Sequence, residues 1–199
     1  TVNGPAYPLL SHGITKLHQF NVVEWLKSAA VKATGATTPE EKRRVSNWVI
    51  DLFILTKFAI VLGAWYLNIA GPVAVFGIAY LLVYNVFTYF WHHLWLHAPE
   101  YATNNPYRER RRFITVLSAM AFSMVTYAFF YHRVFASHFD WPRDVPAPIA
   151  ALTFSIGNAL TGATGDLRAK TSCAYLLMSS QLVMTFVFVA MILNTSIPA

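Results

Sequence analysis

The sequence predicts an all-α membrane protein: four transmembrane helices, a short re-entrant helix that returns as extended backbone, and an N-terminal amphipathic surface helix. Three observations carry this. First, 56% of the 199 residues are hydrophobic and only 12% are charged, against about 25% charged in an ordinary soluble domain. Second, four apolar runs are each long enough to cross a bilayer, which takes about 20 residues. Third, between the last two runs lies Phe154 to Asp166, an apolar stretch too short to span that ends in Thr-Gly-Ala-Thr-Gly-Asp. A helix that enters the membrane, stops and returns as extended backbone is tolerated there only where protein buries it or water lines it. A pore is the most economical reason to build one.

The elements follow in order. Thr1 to Pro8 hold two prolines and no charged start before an apolar run, so no signal peptide is expected there. From Ile14 to Val31 the apolar positions Ile14, Leu17, Phe20, Val23, Leu26 and Ala30 recur at helical spacing. This predicts an amphipathic helix, lying on the membrane with Trp25 at the interface or docked on a neighbouring subunit. Residues 1–45 form this N-terminal segment. Thr38, Pro39 and Glu41 then read as a helix start: an N-cap, a proline in the first turn and the glutamate of a capping box.

Residues 46–97 form a two-helix hairpin. Its first span is Trp48 to Ile69, about 22 residues and enough for roughly 30 Å of hydrocarbon. Gly71-Pro72 makes the turn, and Val73 to Leu96 is the second span. Residues 98–112 are a basic loop with Arg108, Arg110, Arg111 and Arg112, whose spacing is not that of a voltage-sensor ladder. An anchor on anionic lipid suits them. Residues 113–199 hold the third span, Phe113 to Val134, a loop over 135–147, the short helix, and the fourth span, Cys173 to Ile197.

Lys and Arg set the orientation. Lys16, Lys27, Lys32, Lys42, Arg43 and Arg44 precede the first span, and the arginine loop shares their side of the membrane. The opposite side has Arg133, Arg143, Arg168 and Lys170, and the Gly71-Pro72 turn has none. The positive-inside bias therefore predicts cytoplasmic N- and C-termini and puts the short helix on the outer side.

Several constellations remain. Ser179, Ser180, Gln181 and Thr185 make a polar patch in the fourth span, where Ser180, Gln181 and Thr185 either line a water-filled cavity or bond between helices. His92, His93 and His97 close the second span. His93 and His97 share a helix face and could hold a metal or one side of a haem, though a belt of interfacial Trp and His side chains is the commoner use. Lys57 lies near mid-depth in the first span, on a different face from Asp51; it could find a partner on another helix, in a structural or a functional role. No nucleophile motif, phosphate loop or dinucleotide fingerprint is present, so an enzyme is not expected. Basic runs interleaved with aromatics are missing too, so lipid rather than nucleic acid is the expected partner. One cysteine, Cys173, leaves no intrachain disulfide.

Phe154-Ser155-Ile156 followed by Thr161-Gly162-Ala163-Thr164-Gly165-Asp166 resembles the pore loop of the potassium-channel superfamily. That family's usual pattern is an aromatic-rich pore helix and then Thr-Val-Gly-Tyr-Gly-Asp. Thr161, Gly165 and Asp166 match; Gly162, Ala163 and Thr164 replace Val, Gly and the aromatic. The resemblance covers about the last 90 residues. It implies a homotetramer conducting monovalent cations, potassium or sodium, with no other cofactor. The pore helix would run from Ile149 to Leu160, and its negative C-terminal end would favour a cation. Backbone and threonine oxygens of Thr161 to Gly165 would replace the ion's water, with Asp166 at the mouth. The three substitutions imply a shorter, wider or differently coordinated filter, weakly selective or non-conducting. The alternative is a non-conducting subunit of a larger complex that binds haem or metal through His92, His93 and His97.

Overall fold

The computed structural model describes His12, Lys16 and residues 21–91, 106–162 and 167–196. The chain divides into two compact units, residues 1–56 and 57–199.

In the first unit, helix α1 runs over Val22–Thr34. The single helix expected from Ile14 to Val31 is broken at Asn21, whose extended backbone (φ −74°, ψ 99°) makes it an N-cap. Its side-chain oxygen accepts from the Val23 and Glu24 amides at 3.1 and 3.4 Å. Asparagine is among the best N-caps because its oxygen reaches amides that have no partner inside the helix. Gly35, at φ 64°, closes the helix. Helix α2, Pro39–Tyr66, begins with the expected capping box. The Glu41 amide donates to Thr38 Oγ1 at 3.2 Å, and the Glu41 carboxylate accepts from the Thr37 and Thr38 amides at 3.1 Å each.

The second unit holds the end of α2, then α3 (Pro72–Phe90), α4 (Pro106–Phe129), α5 (Ala147–Ala159) and α6 (Ser172–Ser196). Gly71 caps α3 and Pro72 opens it, as the hairpin turn requires. Helix α4 starts earlier than expected: residues 106–112 are helical, not part of a basic loop over 98–112. Pro106 suits a first helical position, and the Arg and Glu that follow are good helix formers. Past Phe129 the helix widens into a π-turn, Phe130–Val134, closed by the Phe135 amide on the Phe130 carbonyl at 2.9 Å.

The expected loop over 135–147 is also more ordered than its sequence suggests. It contains a 3₁₀ turn, Ala136–His138, and a strand β1, Phe139–Asp140. Strand β1 pairs antiparallel with β2, Arg168–Ala169, in the register Phe139 to Ala169 and Asp140 to Arg168. This two-residue ribbon is the exception to an all-α fold among the described residues. It closes the excursion made by α5, because the chain leaves from β1 and returns to β2 beside it. Helix α5 itself starts two residues before the expected Ile149 and stops one before Leu160.

Four helices are long and apolar enough to cross a membrane: Pro39–Tyr66, Pro72–Phe90, Arg110–Val134 and Ser172–Leu193; Ala147–Ala159 is a shorter apolar helix. The protein is a multi-pass membrane protein. Apolar side chains such as Phe76, Val83, Val183 and Phe186 are exposed along these helices, as a lipid-facing surface requires. Helix α4 is the centre of the second unit and packs against α3, α5 and α6. The main core gathers Phe122 and the run Tyr127 to Tyr131 from α4 and its π-turn with Ala151 and Phe154 of α5 and Ala174 of α6.

Candidate functional site

The site grows from the C-terminal half of α5. Pro146 is the N-cap and Pro148 lies in the first turn, where a missing amide costs nothing. The helix ends in a double hydrogen bond: the Thr161 amide to the Asn158 carbonyl at 3.2 Å, and the Gly162 amide to the Gly157 carbonyl at 2.8 Å. This is the Schellman cap, whose turning residue must take the left-handed conformation that glycine adopts most easily. Thr161 takes it here, at φ 55°. A β-branched residue in that region is an outlier, with a cost of roughly 1–2 kcal/mol. Thr161 and Gly162 are both exposed.

Behind this cap lies a buried polar cluster. Gln181 of α6 is 1% exposed. Its amide nitrogen donates to the Ser155 carbonyl and to Ser155 Oγ, both at 2.8 Å. Its amide oxygen accepts from Tyr131 Oη at 2.6 Å and from Asn158 Nδ2 at 2.9 Å. Both donors and both acceptor sites of the amide are thereby used. Asn158 Nδ2 also donates to the Met178 carbonyl at 3.1 Å, and Ser155 Oγ donates to the Met124 carbonyl of α4 at 2.7 Å. Three helices are tied at one level, which lies about 9–14 Å along α6 from its start at 1.5 Å per residue. The rings of Tyr131, Phe139 and Phe154 pack edge to face beside it, with centroids 5.2–5.9 Å apart.

The sequence-predicted residues fall in three groups. Thr161 and Gly162 form the cap just described; Ala163, Thr164, Gly165 and Asp166 lie outside the described residues. Of the polar patch, Gln181 takes up the interhelical alternative and Thr185 is buried, while Ser180 is exposed and 2.9 Å from Tyr127 Oη. His92, His93 and His97 lie outside the described residues. Among the described residues no group of three or more His, Cys, Asp or Glu side chains is placed to hold a metal.

Lys57 finds its partner on the next helix. It is 2% exposed and donates to Asn85 Oδ1, while Asn85 Nδ2 donates to the Ala119 carbonyl at 3.1 Å. The ammonium also lies 4.8 Å from the Phe122 ring centroid and 5.9 Å from that of Tyr89. An amide oxygen and two aromatic faces are neutral partners that offset part of the cost of burying a cation.

The end of α2 has its own cap. The Asn68 amide donates to the Trp65 carbonyl at 3.3 Å and the Ile69 amide to the Ala64 carbonyl at 2.8 Å, with Asn68 at φ 58°. Arg133 Nη2 donates to the Trp65 carbonyl at 3.1 Å, which places a cation at the negative end of the helix. Trp65 Nε1 donates to His132 Nδ1 at 2.9 Å, and Trp141 packs edge to face on the His132 ring.

No family model, no curated protein and no solved structure matches this chain.

Sequence reasoning missed the roles of Ser155, Asn158, Tyr131 and Asn85. A signal for the first two exists: Ser155 and Asn158 are polar, three apart, and so share a face of a largely apolar helix. Gln181, their partner on α6, shows as a polar residue in a span, whereas Tyr131 and the Met124 and Met178 carbonyls leave no such trace.

Proposed function

We propose that the chain is one subunit of a tetrameric cation channel, with both termini cytoplasmic and α5 as a re-entrant pore helix. Monovalent cations pass through backbone and threonine oxygens of residues 161–165, and Asp166 adds negative potential at the mouth. One observation supports this above the others. Helix α5 is tied into the bundle on its buried face and ends in an exposed threonine held at φ 55°. Folding alone favours glycine there, and backbone strain of this kind gathers at functional sites. A threonine brings a hydroxyl to the start of the segment, the group that would coordinate a dehydrating cation. Four copies around an axis are needed because one such loop cannot enclose a pore.

The test is ion flux from proteoliposomes carrying protein verified as a tetramer, comparing potassium, sodium and an impermeant organic cation. Flux of potassium or sodium well above that of the organic cation is expected. Flux of neither from a verified tetramer refutes the conducting function.

A further inference from the structure

Gln181 stands in the most polar stretch of α6, which makes it a natural wall residue for a water-filled cavity. Its surroundings say otherwise. The side chain is 1% exposed, and all four of its hydrogen-bonding positions are occupied by Ser155, Asn158 and Tyr131. Two of those partners lie on α5, and Asn158 also supplies the carbonyl that takes the Thr161 amide in the cap. A displacement of Gln181 is therefore passed to Thr161 through two consecutive hydrogen bonds. Ser155 and Tyr131 in this network are fully buried and Asn158 is half-buried. Buried networks in which every member is satisfied hold one arrangement rather than several.

We propose that Gln181 is a positioning residue for the ion path: through Ser155 and Asn158 it sets where α5 ends and so where the cation-binding segment begins. It determines which cation passes, potassium or sodium, without touching either ion. This rests on the channel reading above.

The experiment measures the potassium-to-sodium permeability ratio of reconstituted tetramers for the wild type, Gln181→Met, Gln181→Glu and Tyr131→Phe. Methionine keeps the length and volume of the side chain and removes every hydrogen bond. Glutamate keeps the shape and the oxygen that accepts from Tyr131 and Asn158, and serves where the methionine variant fails to assemble. A change in the ratio of about fivefold is expected for Tyr131→Phe, corresponding to the loss of one buried hydrogen bond, and a larger change for Gln181→Met. A merely structural role lowers the yield of tetramer and leaves the ratio of the surviving channels unchanged, which overturns the proposal. In a Cys173→Ser background, Gln181→Cys is expected to resist a water-borne thiol reagent. Rapid modification that blocks flux makes position 181 a cavity wall and also overturns it. A wild-type tetramer that carries neither cation overturns the channel reading and this proposal with it. A conducting wild type with an unmoved ratio overturns this proposal alone.

Discussion

Helices α2 and α5 end in the same hydrogen-bonded cap and finish it with different residues. At the end of α2 the left-handed position is Asn68, and at the end of α5 it is Thr161. Among the described residues these are the two non-glycine positions with positive φ. Asparagine enters that region readily because its short polar side chain bonds locally. Threonine is branched at Cβ and enters it at a cost, although the Thr161 hydroxyl donates locally to the Leu160 carbonyl at 2.7 Å. The surroundings differ in the same sense. The α2 cap is finished by a cation, Arg133, on the Trp65 carbonyl, which is what a helix end needs for stability. The α5 cap instead stands on a neutral network that uses both donors and both acceptor sites of the Gln181 amide, while the turning residue is exposed in both caps. One end is built to stop a helix. The other holds a strained hydroxyl-bearing residue in place.

That contrast can be broken by exchange. The largest effect is expected on transport: Thr161→Gly keeps the cap and removes the hydroxyl, and should lower cation flux at least tenfold, about 1.4 kcal/mol of barrier per event. Flux equal to wild type would remove any functional reason for threonine at that position. Next in size, Asn68→Thr recreates the strain where no transport role is assigned. It should lower stability by roughly 1–2 kcal/mol, read as the midpoint of denaturant unfolding in detergent, with flux per folded tetramer unchanged. The stability effect of Thr161→Gly should have the opposite sign, a gain of about 1 kcal/mol, because glycine adopts the left-handed region freely. The smallest change is Trp65→Phe, which removes the bond to His132 Nδ1 and should cost about 0.6 kcal/mol, the average for hydrogen bonds between membrane helices. A larger loss there would mean that the α2 end carries more than a stop.

The readable parts of the molecule were those with a local cause. The spans follow from runs of apolar residues, and the start of α2 follows from Thr38, Pro39 and Glu41, which act within one turn. The Gly71-Pro72 turn is local in the same way. The break at Asn21 was local too, but the apolar spacing on either side of it reads as one continuous helix. The ribbon of Phe139–Asp140 with Arg168–Ala169 is different in kind, since two-residue strands carry no periodicity and their pairing spans the whole α5 excursion. The site divides along the same line. Thr161 and Gly162 were visible in the Thr-Gly pattern. Gln181 was visible as a polar residue in a span, but its use against Ser155, Asn158 and Tyr131 depends on three helices meeting at one level. Lys57 was legible as a mid-span charge in need of a partner, and Asn85 became identifiable only through the hairpin that sets α3 beside α2.

In the proposed channel, ions pass residue 161. The most direct measurement is single-channel recording in a planar bilayer of the Cys173→Ser, Thr161→Cys tetramer with cadmium added to one side and then the other. Unitary cation currents that cadmium blocks from the side facing the filter, and that a chelator restores, are the predicted result. Currents indifferent to cadmium from both sides would contradict the account, because the cysteine ring would then lie off the ion's path.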